Sequence, residues 1–204
     1  MLSDLRVLAA GEDAARAPAP IIWRRLDVPG HDTATLRLGA AGAVLSGMAV
    51  FREHAPTGLS YAVHADLSWQ TCAARIRGWH GTAAIDLHLH REAGNSWTLN
   101  HVPCPAVDGC VDLDLSFTPA TNLLALRRLA LAPGQAAELR ATWLEWPDVR
   151  LTPLVQRYFR HSPTEYGYEA DLPGGTCFRA LLRVQPRGWV LDYASLWRAE
   201  GVPA

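Results

Sequence analysis

From residue 21 onward the chain alternates apolar and polar residues in short runs punctuated by Gly, Pro and Asn. Residues 83–90 show the pattern most cleanly. Ile85, Leu87 and Leu89 share one face of an extended strand, and Asp86, His88 and His90 share the other. The same rhythm marks residues 21–24, 35–38, 43–52, 60–66, 70–78 and 96–100. It resumes at 111–116, 137–146, 149–159, 166–170, 177–184 and 189–197, with Pro163, Pro173-Gly174-Gly175 and Pro186-Arg187-Gly188 as breaks. Short strands at such even spacing predict an all-β barrel, sandwich or roll.

One segment carries the helical period instead. Thr118 reads as an N-cap and Pro119 as the first helical residue, where a missing N–H does no harm. Leu123, Leu126 and Leu129 recur at helical spacing, and Arg127 and Arg128 fall near the negative end of the dipole. The spacing predicts a short helix over about 119–128. An apolar helix beside a long antiparallel meander predicts a many-stranded sheet curved around it. Residues 1–20 are Ala-rich and end in Ala17-Pro18-Ala19-Pro20, which reads as a flexible extension. Residues 21–204 read as one β domain.

Composition narrows the function classes. The 204 residues carry Lys+Arg 19 against Asp+Glu 20, a net charge of −1, so no global field is present to hold nucleic acid. Every basic residue is an arginine, a planar fork suited to carboxylate, phosphate or hydroxyl groups. Eight tryptophans supply broad flat surfaces for a core or for stacking on sugars and acyl chains. No run approaches the length of a membrane span. The N-terminus carries Asp4 and lacks a basic region followed by an apolar one, so the chain reads as cytoplasmic. The scattered Cys72, Cys104, Cys110 and Cys177 then read as reduced thiols.

No motif names a reaction, and no metal or cofactor is expected. His88 and His90 lie opposite the apolar face of their strand and read as solvent-facing rather than as metal ligands. Asp112 and Asp114 share a strand face, where they either pair with arginines or form an acid pair. Residues 109–129 compress these two carboxylates with Thr121, Asn122, Arg127 and Arg128. Gln156, Arg157, Tyr158 and Tyr193 add polar and aromatic groups later in the chain. On a strand, Gln156 and Tyr158 face together and Arg157 faces away. An Arg157 turned toward the helix and paired with Asp112 or Asp114 would mark a structural ion network.

At this cluster the sequence resembles a bacterial family named for glycolipid binding, formerly a domain of unknown function. The matching residues are Asp66-x-x-Trp69, the stretch 109–115, Thr118-Pro119-x-Thr121-Asn122 leading to Arg127-Arg128-Leu129, then Gln156-Arg157-Tyr158, Tyr166-x-Tyr168 and Asp192-Tyr193. The likeness covers about residues 23–198. It implies a spiral β-roll, or half-barrel, wound around one helix, and a small amphiphile, a glycolipid among them, as ligand. Trp69, Asp112, Asp114, Thr121, Asn122, Arg127, Arg128, Gln156, Arg157, Tyr158 and Tyr193 are the candidate ligand-binding residues. Three functions follow: a non-catalytic amphiphile-binding protein; an enzyme on a glycosylated or phosphorylated metabolite that uses Asp112 and Asp114 with Arg127 or Arg128; or a structural, self-associating module. The oligomeric state is not legible.

Overall fold

The computed structural model describes residues 17–201. The expected extension over 1–20 therefore lies largely outside the described residues. At its end, the Ala19 carbonyl accepts a hydrogen bond from the Trp189 indole at 2.8 Å.

The described residues form fifteen strands, one α-helix and a short 3-10 turn at Pro105–Val107. In order they are β1 (Ile21–Arg25), β2 (Gly30–Gly39), β3 (Gly42–Arg52), β4 (Pro56–Ala65), β5 (Thr71–His80), β6 (Ala83–Arg91), β7 (Trp97–Leu99), β8 (Val102–Pro103) and β9 (Asp112–Leu115). Then come α1 (Asn122–Leu129), β10 (Ala136–Glu145), β11 (Arg150–Ser162), β12 (Glu165–Leu172), β13 (Thr176–Val184), β14 (Val190–Tyr193) and β15 (Trp197–Glu200). All strands join one sheet in the order β8-β7-β6-β5-β4-β3-β2-β1-β15-β14-β13-β12-β11-β10-β9. The pairs are antiparallel except β9 with β10, which is parallel.

This order explains the curvature. The first and last strands pair at the centre, β1 with β15. The chain winds out to one edge at β8, crosses to the opposite edge at β9, and winds back. Fifteen strands laid flat would span roughly 67 Å at ~4.8 Å per strand. Residues 104–111 make the crossing, and eight residues reach about 30 Å at most. The sheet must therefore curl until its edges approach. The crossing segment lies against the first half of the sheet, where the Thr71 amide of β5 donates to the Val111 carbonyl at 2.9 Å and the Trp97 indole of β7 to the Cys110 carbonyl at 2.8 Å. The result is the open half-barrel roll expected from the sequence.

Helix α1 lies inside the curl, with Asn122 through Leu126 all buried. Both halves of the sheet reach it. Arg127 stacks over Trp69 of the β4–β5 turn at 4.7 Å, while Asn122 accepts from the Tyr158 hydroxyl of β11 at 2.9 Å. The helix starts three residues later than the sequence predicts. Residues 119–124 enter it through a tighter turn, with Asn122, Leu123 and Leu124 donating to the carbonyls three residues back at 3.3, 3.1 and 3.1 Å. Thr118 fixes that turn by accepting from the Ala120 N–H at 3.0 Å while its hydroxyl donates to Asp32. A second difference falls at 189–197, expected as one strand. Ala194 turns into the left-handed region at φ 45° and splits the segment into β14 and β15.

Three tryptophans belong to the core and three to the cleft, while Trp69 lies in the β4–β5 turn and Trp79 is exposed. Trp23, Trp97 and Trp189 are fully buried, and each indole N–H meets a carbonyl, as buried tryptophan requires. A glycine is equally necessary at position 47. A Cβ there would lie 2.2 Å from the Tyr61 hydroxyl oxygen and 2.5 Å from the Thr33 carbonyl. Gly47→Ala is expected to displace Tyr61 and to cost about 2 kcal/mol through overpacking. A lowered urea midpoint at unchanged slope would show it; an unshifted midpoint would mean that Tyr61 can move aside.

Candidate functional site

The polar residues expected to act together separate into three groups. Asp112 faces the end of α1, where the Arg128 guanidinium grips it with both prongs: Nε to Oδ1 at 2.8 Å and Nη2 to Oδ2 at 2.6 Å. Both carboxylate oxygens are thus taken. Arg127, one residue earlier on the helix, turns away to Trp69 and donates to the Arg187 carbonyl at 2.8 Å. The Asp66 carboxylate shapes the turn that presents Trp69, accepting from the Ser68 and Gln70 amides at 2.8 and 3.0 Å, and Trp69 itself adopts φ 64°. Arg157 points to the outer surface and binds Asp171 and Glu138 at 2.8 and 2.9 Å. It takes no part in the inner network. The four-residue set Asp112, Asp114, Arg127 and Arg128 does not converge on one point.

Asp114 belongs to a different place. Neighbouring β9 residues on one face point alike, but Asp114 lies further along the strand and opens on a cleft of about 410 Å³ inside the roll. Gln156 donates to its Oδ2, and Tyr158 links Gln156 to Asn122 behind it. Thr121, although buried, bonds the Leu115 amide at 3.4 Å and holds the strand-to-helix turn instead of lining the cleft. Of the sequence candidates, Asp114, Asn122 and Tyr193 line the cavity, with Gln156 and Tyr158 in support.

Aromatic rings build the walls. They are Trp143 of β10, Trp146 just past it, Tyr168, Phe178, Tyr193 and Trp197. Tyr168 meets Tyr193 edge-on at 5.6 Å and Phe178 at 6.3 Å, so these rings fix one another. Leu154, Leu172 and Leu196 supply apolar surface between them. Arg25 reaches in from β1, held between the faces of Phe51 at 4.9 Å and Trp197 at 5.5 Å, with Asp27 and Glu53 as ion partners.

The electrostatics of this cleft are mixed. Although the Asp114 side chain still opens on the cavity, its surroundings are apolar enough that burial pushes the carboxyl up to about 6, against the partial relief of the Gln156 bond. Burial, reinforced by the Asp114 charge, also raises the Tyr193 hydroxyl, which stays protonated and available as a donor. Two wall residues carry buried N–H groups without a partner among the described residues: Nη1 of Arg25 and Nε1 of Trp146. A buried unmade donor costs about 1–3 kcal/mol.

Beneath the cleft lies a carboxylate that the sequence reading passed over. Asp32 of β2 is 1% exposed. It accepts from the Tyr61 hydroxyl at 2.9 Å and from the Thr118 hydroxyl, while its Oδ1 has no side-chain or backbone partner among the described residues. Desolvation pushes its carboxyl up to about 7. Thr118 itself lines the cleft, so the acid sits one hydroxyl away from the cavity.

The chain is thus an open β-roll curled around one helix, with an aromatic-walled cleft between helix and sheet. The chain belongs to the family described as "Putative glycolipid-binding", whose model matches residues 20–199. A solved DUF1089-family protein from Pseudomonas aeruginosa is similar at 30% identity and a TM-score of 0.71, over 82% of this chain and 91% of that one. A β-barrel-like DUF1849 protein from Brucella abortus shares the fold at 9% identity and a TM-score of 0.53, over 90% of this chain and 95% of that one. No curated protein sequence matches the chain.

Proposed function

We propose that the inner cleft binds a neutral, sugar-headed amphiphile without transforming it. The observation that carries this reading is that an acceptor on Asp114 and donors on Tyr193 and Arg25 line one cleft with packed aromatic walls. Hydroxyl groups both donate and accept, so one polyol head suits such a mixed lining. A free anion fits worse, because Asp114 and Glu53 both face the cleft. Sugar rings present apolar C–H faces to Trp143, Tyr168 and Tyr193, and the leucines between them accept the first methylenes of a chain. The family name points to the same ligand class. Asp114, Asn122 and Tyr193 act as ligand contacts on this reading, and Gln156 and Tyr158 position them.

Titration of the full chain with n-octyl β-D-glucopyranoside below its micelle threshold, followed by tryptophan fluorescence and calorimetry, tests the proposal. The glycoside is expected to bind more tightly than octanol or glucose alone. Asp114→Asn should weaken it about tenfold, the loss of a charged hydrogen bond worth roughly 1.5–3 kcal/mol. Because the Asp114 carboxyl sits at about 6, affinity should rise from pH 5 to pH 7 as it ionises, and that rise should vanish in the variant. Equal affinity for octanol and octyl glucoside would reject the sugar-recognition part. No binding of either would reject the proposal.

A further inference from the structure

Around the C-terminal end of α1, a second cavity of about 390 Å³ is lined by three arginines, Arg127, Arg160 and Arg187, and by no carboxylate among the described residues. Several arginines elsewhere are matched to acids, as in Arg128 with Asp112, Arg150 with Glu145, Arg157 with Asp171 and Arg179 with Glu169. The three arginines of this cavity bind neutral carbonyls instead. Arg127 donates to Arg187 O at 2.8 Å, Arg187 to Ala17 O at 3.0 Å, and Arg160 to Ser162 O and Pro163 O at 3.2 and 3.0 Å and to Leu131 O. Carbonyl bonds hold a guanidinium in place without neutralising it, and each of these side chains keeps N–H donors to spare.

The fold presents the three charges rigidly. Arg127 is stacked on Trp69 and Arg160 over Tyr166 at 5.3 Å. Arg187 rides on the tight β13–β14 turn, closed by Gly188 N–H to Gln185 O at 2.9 Å. Gly188 sits at φ 105°, and a Cβ there would lie 3.5 Å from Leu123, so the turn rests directly on the helix. Burial and, after it, the like charge of Arg187 work against the Arg127 cation and lower its proton affinity. An anion between them would relieve the repulsion.

We propose that this cavity is a binding site for a phosphate group, on a soluble phosphomonoester or on a lipid headgroup. Three forks around one cavity suit a tetrahedral dianion, which offers several oxygens, better than a carboxylate that one fork can satisfy. The site is separate from the aromatic cleft, so its fate does not depend on the glycolipid reading.

The test titrates the full chain by calorimetry with inorganic phosphate and with glycerol 3-phosphate. A parallel arm sediments it with vesicles of phosphatidylcholine with or without phosphatidic acid. Arg187→Gln is the informative variant, because Arg187 is exposed and its loss leaves the core intact. Arg179→Gln is the control, an exposed arginine already matched to Glu169. Saturable binding is expected, weakened tenfold or more by Arg187→Gln and by Arg160→Gln but unchanged by Arg179→Gln. Binding in the soluble arm assigns a free phosphomonoester; binding confined to phosphatidic acid vesicles assigns a headgroup. Absence of binding in both arms overturns the proposal, as does equal weakening by Arg179→Gln or no weakening by Arg187→Gln. Octyl glucoside binding measured in the same Arg187→Gln sample should be unaffected.

Discussion

Arg128→Gln is expected to destabilise the protein by about 3 kcal/mol, close to the cost of breaking a buried ion pair from one side. Asp112 has a side chain only 5% exposed, and Arg128 fills both of its oxygens. Glutamine can replace one hydrogen bond but not the charge, which leaves a carboxylate ionised in a poor solvent. For a chain of this size about 3 kcal/mol lowers the melting temperature by roughly 6–12 °C. Asp112→Asn added to Arg128→Gln should recover much of the loss, because the stranded charge then disappears. That rescue separates a structural clamp from a ligand site: a clamp recovers stability in the double variant, whereas a site would lose ligand in each variant with stability unchanged. Differential scanning calorimetry of the two single variants and the double variant decides it. A single variant within about 0.5 kcal/mol of wild type would remove the clamp.

Much of this architecture is legible from alternation alone. Residues 83–90 read as a strand with Ile85, Leu87 and Leu89 inward, and β6 spans Ala83–Arg91 with Leu87 and Leu89 buried. The helix is legible too, because Leu123 and Leu126 repeat at a spacing no strand would use. What alternation hides is a polar residue standing in the apolar phase. Asp32 precedes Ala34 and Leu36 at intervals of two, and Arg25 follows Ile21 and Trp23 in the same way; both share the core face of their strands. That phase was available as a signal for a buried charge, and it marks Arg25 as a residue of the cleft. Pairing between distant strands carries no such signal. Alternation turns Arg157 away from Gln156 and Tyr158, but nothing local names Glu138 and Asp171 as its partners, or says that Asp112 and Asp114, two residues apart, serve a clamp and a cleft.

Asp32 carries the remaining large expectation, a pH dependence of stability with a definite sign. Its carboxyl lies at about 7 in the folded chain and near the ordinary carboxylate value when unfolded. The folded state therefore holds this proton more tightly. Its stabilising contribution is complete below about pH 4 and is lost as pH rises through 7. The span corresponds to at most about 4 kcal/mol at 1.36 kcal/mol per pH unit. Asp114, at about 6, adds a smaller loss of the same sign over a lower range. Asp32→Asn should therefore stabilise the chain at pH 8 by about 2 kcal/mol, or roughly 4–8 °C in melting temperature, and change little at pH 4. The gain falls short of the full span because the new amide N–H₂ enters a pocket where Oδ1 found no partner, while the amide oxygen keeps the Tyr61 and Thr118 bonds. Melting curves at half-unit pH steps would show a wild-type stability that declines toward neutrality and a variant whose slope is shallower. Parallel slopes in the two proteins would mean that Asp32 stays ionised throughout. In that case the Tyr61 and Thr118 hydroxyls, not a bound proton, stabilise the acid beneath the cleft.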